Sequence, residues 1–196
     1  PDLDRIAQDD PGVYEALSRG DAGGGFQLET GMFRDLLREV RPRAFADLVA
    51  ILALGRPGPM AHLGEYLARR RGERPVVYPH PKVEPILRET YGIMLYQEQV
   101  MQVAMALAGY TAGEADLLRR AMGKKKPEIM EQERARFVSA AARRGIDETH
   151  AQAIFADIAR FAEYGFAKSH SVAYAVLAYK TAYLKVHYPA EFMAAQ

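Results

Sequence analysis

The chain has 196 residues, 49% of them hydrophobic and 26% charged, with a formal net charge of only +1. That size and balance suit one large soluble globular domain, or one domain with appendages. Cysteine is absent, which excludes disulfides and thiolate metal sites and fits a cytoplasmic setting. No run approaches the roughly 18 apolar residues of a membrane span.

Asp2-Leu-Asp4 opens the chain as a carboxylate pair, but it stands beside Arg5 with no apolar strand around it, so metal binding is not expected there. A short helix is predicted between Asp9 and Gly20 from Val13, Tyr14, Ala16 and Leu17. A glycine-rich loop follows at Asp21–Gly25, then a helix over Gly31–Val40 and an apolar one over Phe45–Leu54. Gly55-Arg56-Pro57-Gly58-Pro59 stops the latter. Gly72–Pro85, with four prolines, is the most irregular stretch.

From Tyr91 onward the pattern is helix after helix. Val100, Val103, Ala104 and Leu107 follow helical spacing, with Gly109 as the stop. Thr111 and Glu114 form a capping-box signature for a helix reaching Met122 or Lys124. Pro127 suits the first turn of the next helix, which should run to Gly145, and Asp147 can cap another reaching Phe161. Tyr164–His170 is a polar-aromatic turn. Val172, Ala175, Val176, Tyr179, Ala182, Tyr183 and Val186 then form the longest helical stripe, ended by Pro189. Nine or ten helices are predicted in a mostly α fold, with at most a short strand pair.

The strongest candidate site is Arg119-Arg-Ala-Met-Gly-Lys-Lys-Lys126. Residues 110–126 carry five basic and two acidic groups although the whole chain is nearly neutral. A solvated face supported by Asp116–Arg120 at i, i+4 would explain part of this. Two arginines, a glycine and three lysines without an intervening acid point further, to a phosphate or nucleic-acid backbone. Arg119 and Arg120 suit a bidentate phosphate contact; Gly123, Lys124, Lys125 and Lys126 suit a backbone field.

Tyr164-Gly-Phe-Ala-Lys-Ser-His170 is either an interhelix turn or a pocket, with rings for stacking and Lys168 and His170 for phosphate; His170 and Tyr174 share a face. The amides of Tyr96-Gln-Glu-Gln99 could reach bases or sugars, or simply begin an amphipathic helix. Met94, Met101 and Met105 read as core filler. His62, His80, His150 and His187 read as ordinary surface or packing residues, with no pair at metal-ligand spacing. No Ser/His/Asp order and no Walker-type loop is present.

Taken in order, Gly25-Phe-Gln-Leu-Glu-Thr30, Arg56-Pro-Gly-Pro59, Tyr91-Gly-Ile, Tyr96-Gln-Glu-Gln99, Ala115–Lys126, Tyr164–His170 and Tyr188-Pro-Ala-Glu-Phe-Met193 resemble one family. It is the fingers region of bacterial replicative DNA polymerase III alpha subunits, the C-family polymerases, and the resemblance covers nearly the whole chain. The resemblance implies part of a DNA-directed DNA polymerase, a nucleotidyltransferase of DNA replication. Its partners would be template-primer DNA, the incoming dNTP, the sliding clamp and other replisome subunits.

In that family an upstream palm domain supplies three aspartates that hold Mg2+. Those motifs are missing here, so no catalytic or metal residue is expected in this sequence. The chain, which opens at Pro1 and closes at Gln196 inside an apparent helix, reads as a piece of something longer. Residues 1–25 would be the connector from the palm and 26–196 the helical fingers domain, with 72–90 its irregular segment. By motif match, Arg119 and Arg120 would hold the triphosphate, with the lysines adding field. Tyr96, Tyr164 and His170 would line the sugar–base side, with Lys168 also binding nucleotide.

One departure is Ala167, where the family usually has asparagine. The intact lysine run and Lys168 favour the replicative branch over error-prone relatives. The competing reading is a non-catalytic helical nucleic-acid-binding or scaffold module.

Overall fold

The computed structural model describes residues 1–56, 58–124, 127–162 and 165–196. Among them are eleven α-helices and no strand, so the mostly α expectation holds. In chain order these are α1 (Pro11–Ser18), α2 (Gly31–Val40), α3 (Phe45–Leu54), α4 (Leu63–Arg70) and α5 (Glu84–Leu87), then α6 (Gln97–Ala108) and α7 (Ala112–Lys124). They continue with α8 (Pro127–Ala142), α9 (Glu148–Ala162), α10 (Lys168–His187) and α11 (Pro189–Ala194). The count exceeds nine or ten because α5 and α11 are only four and six residues long. An isolated parallel bridge between Tyr96 and Phe166 is all the β-pairing among the described residues. The chain forms two compact units, Pro1–Met60 with Lys168–Gln196, and Ala61–Ala167.

In the first unit α3 is apolar all round, and every residue from Leu48 to Leu54 is buried. A helix without a polar face must be covered on several sides, and α2 and α10 both pack on α3. The buried positions of α10 are Ser171, Ala175, Ala178, Tyr179 and Ala182. The predicted stripe forms as a helix; within it Ala175, Tyr179 and Ala182 are buried, and Val172, Val176, Tyr183 and Val186 are half-buried. Helices α1, α3 and α11 all contact α10, so its apolar surface is shared among several neighbours.

Asp10 caps α1 by accepting from the Gly12 and Val13 amides at 2.8 and 3.2 Å. It also pairs with His187 Nε2 at 2.8 Å, while its own amide donates to the Tyr179 hydroxyl at 2.9 Å. One N-cap thus ties the start of α1 to Tyr179 and His187 of α10.

The second unit is built on one core that runs from Val83 and Leu87 through α6, α7 and α8 to Phe161. Gly109, at φ +70°, ends α6 in the left-handed region that glycine adopts without strain. The capping box forms as predicted: Glu114 accepts from the Thr111 amide at 2.7 Å, and Thr111 Oγ1 accepts from the Glu114 amide at 3.3 Å. Asp147 caps α9 by accepting from the His150 amide at 2.9 Å. The helix from Pro127 stops at Ala142, three residues before Gly145, whose φ of +82° suits the turn that follows.

Helix α4 is not among the predicted helices; it is short, and only Tyr66 and Leu67 in it are buried. Residues 75–78 carry no helix, and this Pro-rich stretch lies against Gly92, where a Cβ would come within 2.3 Å of the Val77 carbonyl oxygen. Tyr91 and Gly92 both have positive φ, 53° and 81°, so Tyr91-Gly-Ile is a tight backbone reversal. Arg69 fixes that reversal by donating to the Tyr91 carbonyl at 2.9 Å and to Glu65 at 2.8 Å.

Candidate functional site

The basic cluster lies at the C-terminal end of α7. Ala115, Leu118, Ala121 and Met122 are buried, which turns Arg120 and Gly123 outward and leaves Arg119 on the flank. A Cβ added at Gly123 would meet nothing within 4 Å. Lys125 and Lys126 lie outside the described residues, as does the side chain of Lys124. Cations in a last helical turn also complement the macrodipole, an ordinary reason for part of this charge.

Both arginines are held by one carboxylate. Asp116 Oδ1 accepts from Arg119 Nε at 2.8 Å and Nη2 at 2.7 Å, and Oδ2 accepts from Arg120 Nε at 2.8 Å. The side chains of Asp116, Arg119 and Arg120 are 30%, 34% and 65% exposed. The hydrogen bond from Arg119, and then the charges of both guanidinium groups, hold the Asp116 carboxyl below the usual range against a desolvation effect of the opposite sign. The sequence shows the Asp116–Arg120 spacing; it does not show that the same carboxylate also takes Arg119.

The N-terminal end of α7 is tied to α8. Arg136 pairs with Glu114, and its guanidinium lies 4.8 Å from the centre of the Tyr110 ring. Burial, with the Glu133 carboxylate nearby, pushes the Tyr110 hydroxyl up to about 12.

The Tyr96 motif is internal. Tyr96 is 2% exposed, and burial raises its hydroxyl well above the ordinary tyrosine range. Gln99, 1% exposed, accepts from the Leu95 and Tyr96 amides at 2.9 and 3.1 Å and donates to Thr90 Oγ1 at 2.8 Å and the Ile86 carbonyl at 3.3 Å. Its amide is fully engaged in the fold. Gln97 reaches the aromatic turn motif: its amide donates to the Phe166 carbonyl at 2.8 Å and its Nε2 to the Gly165 carbonyl at 3.1 Å. The structure therefore brings Tyr96-Gln97 and Gly165-Phe166 together. A Cβ at Gly165 would stand 2.5 Å from the Phe161 ring, so any larger residue there requires that ring to shift.

Tyr164 lies outside the described residues. In the first unit, Lys168 and His170 form the opening turn of α10, so the predicted turn ends earlier than His170. The His170 and Tyr174 rings are 4.1 Å apart, and Tyr174 in turn meets Phe26 at 5.2 Å. Asp2 and Asp4 do not form a shared site: Asp2 pairs with Arg5 at 3.3 Å and Asp4 with Lys180 at 3.1 Å. Among the described residues no three His, Asp or Glu side chains converge to hold a metal ion, and no helix is long and apolar enough to cross a membrane.

Fold and surface together define an all-helical module with a basic helix end organised by a carboxylate. Residues 1–145 match the family described as the bacterial DNA polymerase III alpha subunit finger domain, and the chain belongs to that family. It is 52% identical, over 99% of its length, to the DNA polymerase III subunit alpha of Thermus aquaticus. The corresponding subunits of Aquifex aeolicus and Haemophilus influenzae are 50% and 49% identical over 95% and 99% of this chain. The chain spans only 16%, 16% and 17% of those three relatives.

Proposed function

We propose that this chain is the finger portion of a template-directed bacterial replicative DNA polymerase, and that Arg119 and Arg120 hold the triphosphate of the incoming dNTP. The observation that carries this reading is the partly exposed arginine pair gripped by one carboxylate, on a helix of a DNA polymerase III finger domain. A guanidinium presents a planar fork that matches two phosphate oxygens, which an ammonium cannot do. Lys124, Lys125 and Lys126, beside Gly123, supply a field for DNA backbone phosphates. Tyr164, Lys168 and His170 contact the nucleotide. Tyr96, enclosed as it is, acts through the turn it pairs with at Phe166.

Residues 1–25 serve as the connector from a palm domain and 26–196 as the fingers. The donor set for Mg2+ is not found among the described residues, and in this proposal the metal chemistry belongs to palm aspartates elsewhere in the polymerase. The chain alone then extends no primer. Its partners are template-primer DNA, dNTP, the sliding clamp and other replisome subunits in the cytoplasm.

The test is single-nucleotide incorporation by the full-length polypeptide at varied dNTP, beside template-primer binding at several salt concentrations. Arg119→Ala or Arg120→Ala should lower nucleotide efficiency about 10- to 150-fold with DNA affinity nearly unchanged. Arg→Lys should still impair incorporation. Each lysine removed should flatten the salt dependence of DNA binding by about one counterion. If the arginine variants weaken DNA binding alone, the cluster is a backbone-binding face and the triphosphate assignment fails.

A further inference from the structure

We infer that Asp116 is a positioning residue, whose carboxylate presets Arg119 and Arg120 as one two-pronged donor array for a polyphosphate. The inference rests on the reading that these arginines hold the triphosphate. Asp116 sits three residues before Arg119 and four before Arg120, the two spacings that a helix brings onto a common face. Its two oxygens are divided between them, Oδ1 to Nε and Nη2 of Arg119 and Oδ2 to Nε of Arg120. Arg120 is thereby held through its inner N–H, and among the described residues both of its Nη groups remain available to a ligand. Arg119 keeps Nη1.

Half-exposed ion pairs add little to stability, so holding the fold does not explain a carboxylate shared by two cations. An unheld arginine loses rotamer freedom when it grips a ligand; one already held has lost it before the ligand arrives. The same carboxylate adds a negative charge to a patch that attracts anions. Orientation and attraction therefore respond with opposite signs to its removal, and this separates a positioning role from a merely electrostatic or structural one.

The experiment compares Asp116→Asn, Asp116→Glu, Arg119→Ala and Arg120→Ala in the full-length polypeptide, reading kcat and KM for dNTP, DNA binding against salt, and thermal unfolding. Asp116→Asn keeps shape but loses charge. It should lower kcat about tenfold while KM for dNTP stays level or falls, with the salt dependence of DNA binding nearly unchanged, as for the arginine variants. Asp116→Glu, which still reaches both arginines, should recover most of the lost kcat. The inference is overturned if Asp116→Asn turns over like the parent. It is overturned equally if both Asp116 variants lose kcat in step with a lowered unfolding temperature. Arginine variants that leave nucleotide dependence untouched would sink the triphosphate reading itself, whereas impaired arginine variants beside a normal Asp116→Asn would sink this inference alone.

Discussion

Replacing Gln99 by leucine should destabilise the second unit by about 2–5 kcal/mol. The leucine nearly conserves volume, so the cavity contribution is small and the cost lies in hydrogen bonding. The Leu95 and Tyr96 amides both donate to Gln99 Oε1 in a buried setting. A buried donor left without an acceptor costs about 1–3 kcal/mol, and there are two of them. The donor side loses less: Thr90 Oγ1 keeps its 2.6 Å bond to the Ile93 carbonyl. Gln99→Glu makes a useful partner variant, since its oxygen can still receive both amides but opposes the Ile86 carbonyl. Burial raises the pKa of such a carboxyl, so its stability loss should shrink as pH falls through that raised value. Denaturant unfolding followed by helix dichroism gives the free energy, and hydrogen exchange at Leu95 and Tyr96 gives the local consequence. A Gln99→Leu chain within about 0.5 kcal/mol of the parent, with both amides still protected, would refute the hub role.

Gly92→Ala should cost about 2–4 kcal/mol in denaturant unfolding, because it adds a left-handed residue where a Cβ would stand 2.3 Å from the Val77 carbonyl oxygen; a loss below 1 would mean the 75–78 segment yields easily. Thr111→Ala should lower stability by about 1 kcal/mol through loss of the α7 cap, read as a lower denaturation midpoint. Burial raises the Asp10 carboxyl, but the His187 hydrogen bond and the Val13 and Gly12 amides outweigh it and hold the pKa below the usual range. With a depressed folded pKa, its contribution is complete above the unfolded value near 3.8 and is lost as pH falls through the folded one. Unfolding midpoints from pH 6 to 2 should show this acid-side loss, and His187→Ala should diminish it.

Much of the helical frame is legible because its stops and caps are local. Gly109, the Thr111–Glu114 box, Pro127 and Asp147 each act within four residues of their own position, and each lands where the spacing puts it. Helix α4 is missed although Leu63, Tyr66 and Leu67 stand at i, i+3, i+4, because an eight-residue helix shows that stripe for barely more than one turn. The α10 stripe is legible as a helix, but not that Val172, Val176, Tyr183 and Val186 end only half-buried, because several neighbours, not one, decide which side is covered. At the site, the basic run is evident in the residues, whereas the double grip of Asp116 is not. Spacing permits pairs at i+3 and i+4 alike, and only side-chain geometry shows that both form at once. Gln99 teaches the converse: a polar residue inside a candidate motif has its amide consumed by Leu95, Tyr96, Thr90 and Ile86.

Helix α7 divides its labour by face and by end. Ala115, Leu118, Ala121 and Met122 bury its inner side, and the capping box with the Glu114–Arg136 pair secures its first turn. The arginines take no part in either anchorage; among the described residues their bonds run to Asp116, on their own helix. Charge at the far end can therefore change without disturbing the core, because the stabilising contacts lie elsewhere on the helix. The same geometry accounts for a basic run at a helix C-terminus whose glycine leaves the outer surface open. A helix held at one end and along one side offers its remaining surface as a rigid platform, and rigidity is what an oriented phosphate contact requires of its support.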